Sequence, residues 1–110
     1  MQGLKSENRL FERFSARFPV KFQHSRTDFG SDVFLRDASA RGIKITSKEK
    51  MFLNDSVSLA VKLPDGSDPL ILNGRVVWIR NKSPNLWEAG VEFHKINLME
   101  IQRIFRFADF

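Results

Sequence analysis

The chain has 110 residues, 42% hydrophobic and 28% charged, the balance of an ordinary globular domain rather than a disordered or membrane-embedded one. Eighteen Lys and Arg against thirteen Asp and Glu leave a net charge of +5, which favours an anionic partner such as a nucleotide, a nucleic acid, a membrane surface or an acidic protein. There are no cysteines, which excludes disulfides, thiolate catalysis and Cys-ligated metals.

No run approaches the roughly 18 apolar residues needed to cross a bilayer. The first residues carry charge from Lys5 onwards and lack the apolar stretch of a signal peptide. The expectation is a cytoplasmic protein without membrane insertion. The 11 phenylalanines, beside 2 Trp and no Tyr, are expected to be mostly core, because each buried ring removes a large apolar area from water.

Residues 1–16 are polar, arginine-rich and aperiodic, and read as a mobile arm. From Arg17 a period of two begins, with Phe18, Val20 and Phe22 alternating with Pro19, Lys21 and Gln23, the mark of a half-buried strand. Pro19 places the start of that strand at a sheet edge, since proline cannot donate to a ladder. Residues 24–31 read as a turn, and residues 32–37 as a second strand with Val33 and Leu35 on one face. The stretch 37–42 interrupts the pattern before Ile43 and Ile45 resume it.

Residues 51–55 form an irregular connection anchored by Met51, and residues 56–63 alternate again. Pro64-Asp65-Gly66-Ser67-Asp68 is a hairpin signal between that run and the next strand, residues 70–80. Gly74 suggests a bulge or bend there. A turn at residues 81–85 leads to a last strand, residues 86–94. The period then changes: Leu98, Ile101, Ile104, Phe105 and Ala108 share a helical face, with Asn97 and Glu100 placed as a capping box. The reading is mainly β, an antiparallel barrel or sandwich of about six strands over residues 17–110, closed by a helix at about 97–108.

Catalytic and metal chemistry find no residues to run on. His24 and His94 stand without an accompanying ligand cluster, and no phosphate loop, nucleophile elbow or dinucleotide fingerprint is present. Glu88 and Glu92 share a strand face and read as solvated charges rather than an acid–base pair. The expectation is a protein that is not an enzyme and needs no cofactor or metal.

Two short patterns carry the functional reading. Arg9-Leu10-Phe11-Glu12-Arg13 is an RxxxR ahead of the first strand, and Asp37-Ala38-Ser39-Ala40-Arg41-Gly42 is a DxSxxG between two strands. In that order they resemble the signature motifs of the PilZ domain family. The resemblance extends to residues 17–22 as the first strand, and to Gly74-Arg75-Val76-Val77-Trp78 and Gly90-Val91-Glu92-Phe93 as late strands. It implies a six-stranded antiparallel β-barrel that binds cyclic di-GMP.

By that resemblance Arg9 and Arg13 would grip phosphates and guanine edges, and Asp37 would accept from guanine N–H groups. Ser39 would bond the base or a phosphate, Arg41 would add a phosphate contact, and Gly42 would allow close backbone approach or a positive φ. Arg13 and Arg17 form a second RxxxR, so Arg17 is the alternative partner of Arg13. The chemistry fits, because an arginine fork meets both the N7/O6 pair of guanine and a phosphate. Asp37 and Ser39 are equally suited to bonding their own backbone in a turn.

The expected function is a receptor that signals to an unidentified effector protein when its arm closes over cyclic di-GMP. The alternatives are an adaptor of the same fold without nucleotide binding, and a small nucleic-acid-binding barrel using Phe11, Phe14 and Trp87. Clustering of the arginines in one arm disfavours the last.

Overall fold

The computed structural model of the chain describes residues 9–108. The alternating runs become six strands: β1 (Phe14–Phe22), β2 (Val33–Ser39), β3 (Gly42–Ser47), β4 (Ser56–Val61), β5 (Leu70–Ser83) and β6 (Leu86–Phe93). They pair antiparallel in the order β1-β2-β3-β6-β5-β4 and close into a barrel. Inward positions are filled by Phe18, Val20, Leu35, Ile43, Ile45, Leu59, Val61, Leu72, Val76 and Val91, all buried. This is the period-two pattern of a strand with one face on a core.

One helix, α1 (Leu98–Phe105), covers the barrel with Ile101 and Ile104 fully buried. Phe14 meets Phe105 edge-on, ring centroids 4.9 Å apart. The β4–β5 connection turns at Gly66, with φ of 75°, a conformation that favours glycine. Asp65 there accepts from the Ser67 N–H at 3.0 Å, and Arg103 of α1 donates to the Ser67 hydroxyl at 2.8 Å, tying helix to hairpin.

Several local expectations are corrected. β1 starts at Phe14 rather than Arg17, because Phe14 and Ala16 extend the buried series of Phe18 and Val20. Residues 9–11 are helical, and Leu10 is only 5% exposed, so the described part of the expected arm is seated on the barrel. Residues 1–8 of that arm lie outside the described residues. The interruption at 37–42 is a tight hairpin: β2 runs to Ser39, which pairs with Gly42 across Ala40 and Arg41.

Pro19 is not at a strand start. It lies where the β1–β4 ladder of residues 20–22 ends: its carbonyl accepts from the Lys62 N–H at 3.0 Å, and without an N–H it gives no return bond. Gly74 is not the bulge. The extra residues of β5 are Val77 and Lys82, whereas a side chain at Gly74 would collide with the Glu92 carbonyl. Asn97 precedes α1 without a side-chain cap bond, and Glu100 instead faces Arg103 at 3.6 Å.

Burial of the segment before Arg17 has a measurable consequence. Leu10→Ala and Phe14→Ala should each destabilise the fold by about 2–4 kcal/mol, the cost of emptying a packed site. Chemical denaturation of the two variants checks this, since a loose arm would leave the unfolding midpoint unchanged.

Candidate functional site

Register brings the two motifs together. Phe14 pairs with Ala38 and Ser15 with Asp37, so Arg13, just ahead of β1, stands beside the end of β2. Its Nη1 donates to Asp37 Oδ1 at 2.8 Å and to the Gly42 carbonyl at 3.4 Å. The other Asp37 oxygen faces Lys44 Nζ at 3.3 Å. The Ala40 N–H donates to the Leu10 carbonyl, which pins the arginine segment to the hairpin. The Arg41 guanidinium lies 5.3 Å from the centre of the Phe11 ring, within cation–π reach.

Ser39 is buried and its Oγ accepts from the Arg41 N–H at 3.2 Å, a bond that shapes the hairpin turn. Gly42 serves close approach and not a positive φ: any Cβ there would drive into the Val91 carbonyl on β6. Substitution at Gly42 would therefore prise β3 from β6.

A pocket of about 290 Å³ is lined by Arg13, Ser39, Arg41 and Gly42 from the motifs, together with Phe11, Val77, Val91 and Glu92. A neighbouring polar groove of about 340 Å³ is lined by Asp37 and Arg17 with, among others, Arg36, Lys44, Lys82 and Glu88. The Arg13–Asp37 bond bridges the two cavities. Arg9 is exposed on the helical turn and lines neither. Of the seven residues expected at the site, six therefore fall in two adjoining cavities and Arg9 stands apart from both.

Sequence reasoning passed over Val77, Glu92, Lys44 and Glu88 as site residues. The extra residue in β5 turns Val77 outward next to Trp78, so both are partly exposed where strict alternation would bury one. Glu88 does share the outer face of β6 with Glu92, but it is not solvated. It is only 2% exposed, covered by cations: Arg80 Nε donates to it at 3.0 Å and Arg80 Nη2 makes a second, shorter bond. Lys82 lies 3.6 Å away and Lys44 3.9 Å. The Arg80 bonds, with these charges, outweigh burial and hold the Glu88 carboxyl below its ordinary value of 4.5.

A carboxyl with a lowered folded pKa contributes stability that is full above its unfolded value and is lost as pH falls through the folded one. Wild-type stability should therefore decline more steeply than that of Glu88→Gln as pH falls below about 5. Near neutrality Glu88→Gln should cost about 1–3 kcal/mol, the range for losing a charged buried bond. Thermal unfolding of both proteins across pH 3–7 measures the two slopes.

Among the described residues no group of three or more His, Asp or Glu could hold a metal. No helix of the described residues is long and apolar enough to cross a membrane.

The family model of the PilZ domain matches residues 7–110, essentially the whole chain. No curated protein matches the chain. PilZ domains are receptor and adaptor modules rather than enzymes. With the family model spanning barrel, hairpin and helix alike, the chain belongs to the PilZ domain family.

Proposed function

We propose that this PilZ domain is a receptor for cyclic di-GMP that acts on a separate effector protein. The observation that supports it most is the contact of Arg13 with both Asp37 and the Gly42 carbonyl, which joins the RxxxR and DxSxxG motifs at one pocket. The ligand carries two phosphates and two guanines, and the pocket offers guanidinium groups beside apolar walls.

In this reading Asp37 holds the Arg13 guanidinium in place, and Arg13 meets a phosphate or the N7/O6 edge of a guanine. Arg41, exposed at the pocket, takes a phosphate, and Arg9 supplies a further cation from the helical turn. Arg17, in the neighbouring groove, contributes less. Ser39 and Gly42 shape the hairpin so that backbone and hydroxyl face the ligand. The ligand fastens the helical turn at residues 9–11, already seated beside the pocket, and so fixes the apolar surface around Phe11 that an effector meets.

A nucleic-acid barrel would need a row of free cations along a strand face. Lys44, Arg80 and Lys82 converge on Glu88 instead.

Calorimetry should show cyclic di-GMP binding, with cyclic di-AMP at least about tenfold weaker because adenine reverses the donor and acceptor roles. A single-stranded DNA control at two salt concentrations separates the nucleic-acid reading. Arg13→Ala should lower affinity roughly 10- to 100-fold, the loss of a charge-assisted contact, and should cost more than either Arg9→Ala or Arg17→Ala. Hydrogen exchange at residues 9–14 should slow at saturating ligand. Unchanged exchange there would refute fastening of the turn by ligand.

A further inference from the structure

We infer that the outer face of β1 and β2, towards the end of β1 away from Arg13, is a docking surface for an anionic lipid bilayer. The inference is independent of the nucleotide reading. Arg17, Pro19 and Lys21 alternate outward on β1, and Phe34 and Arg36 stand on the same face of β2, with Pro19 paired to Phe34. Lys62 joins them just beyond β4, where its N–H meets the Pro19 carbonyl.

The turn after β1 is laid back over this face. The Gly30 N–H donates to the Val20 carbonyl at 3.1 Å, and Gly30 has φ of 77°. A Cβ there would come to 3.0 Å from both Phe34 and Pro19, so glycine lets the turn lie this close. That seating brings the Phe29 ring within reach of two ammonium groups, Lys21 Nζ at 4.9 Å and Lys62 Nζ at 6.0 Å. The Arg36 guanidinium lies 5.6 Å from the ring of Phe34, which is 38% exposed.

The face carries charge that the fold leaves unbalanced. Among the described residues Arg17, Lys21, Arg36 and Lys62 make no ion pair, whereas Arg13, Lys44, Arg80 and Lys82 are committed to Asp37 or Glu88. Those four free cations, less the one net negative charge of the adjoining turn (Arg26 against Asp28 and Asp32), leave a surplus of +3 out of +5 for the whole chain. An anionic partner fits this surplus, and the rings select its kind. Single-stranded nucleic acid stacks its bases on open ring faces, but here cations stand over Phe29 and Phe34. Apolar bodies topped by cationic tips suit a bilayer interface, where the rings meet the acyl boundary and the cations the headgroups. Beside them lies a cleft of about 360 Å³, lined by Phe18, Pro19, Leu63 and Pro64 and flanked by Arg17 and Lys62. Its chemistry matches the junction of an acyl chain with its phosphate.

Co-sedimentation of the full chain with vesicles tests this, using phosphatidylcholine alone or with about 30% phosphatidylglycerol added. Each basic residue at an anionic surface strengthens binding roughly fivefold. Wild type should bind the anionic vesicles at least about tenfold better than the neutral ones, and Lys21→Glu/Lys62→Glu should lose at least about tenfold of that binding. Lys21→Gln/Lys62→Gln, which removes the charges without reversing them, should fall between. The control Lys50→Glu/Lys95→Glu makes the same change in net charge at exposed positions elsewhere and should bind nearly as wild type does. Equal binding to both vesicles, or an equal loss in the control, overturns the proposal. So does single-stranded DNA that binds through Lys21 and Lys62 more tightly than the vesicles do, which would assign the face to nucleic acid.

Discussion

β1 is hydrogen-bonded along both of its edges, to β2 over most of its length and to β4 through residues 20–22, and this double pairing turns an open sheet into a barrel. The β1–β4 ladder is short, so closure leans on the buried series Phe14, Ala16, Phe18 and Val20 to hold the strand inward. The same strand carries the arginine segment at its start. Closing the barrel therefore also places Arg13 beside Asp37, and site and fold depend on one strand.

Three residues of the DxSxxG hairpin have structural roles of their own. Gly42 lets β3 lie against β6 where a side chain would meet the Val91 carbonyl, and Ser39 bonds the Arg41 N–H to tighten the turn. Asp37, held between Arg13 and Lys44, is a neutralising centre for two cations. A backbone stiffened by its own side chains loses less entropy on binding than one the ligand must order.

β5 outruns β4, which pairs with it only as far as Arg75, so the far end of the β5–β6 hairpin stands beyond the closed wall. Such an exposed edge invites pairing with another chain. Here bulges at Val77 and Lys82 and the charges of Arg80 and Lys82 disrupt it. The Asn54 and Asp55 backbone caps its base through bonds with Val76 at 2.8 and 2.9 Å. The bulge at Val77 has a second effect, because it delivers that side chain to the pocket. Edge protection and pocket construction thus share one inserted residue.

The amino-acid sequence determined what depends on neighbours in the chain. The alternation of Phe18 with Val20 and of Leu59 with Val61, the turn around Gly66, and the change to a helical stripe at Leu98, Ile101 and Ile104 are local periodicities, and each became the element it specified. The motif order was legible for the same reason. Tertiary structure decided what depends on partners. Whether Phe14 belongs to an arm or a strand turns on Ala38 opposite it and Phe105 above it. The contact of Arg13 with Asp37 spans 24 residues, and it follows from a register that no single strand's pattern contains. Glu88 and Glu92 have the same place in the alternation of β6, yet one is buried under Arg80, Lys82 and Lys44 and the other opens on the pocket. A period of two assigns a side chain to a face of the sheet, and only the packing of distant strands decides what lies above that face.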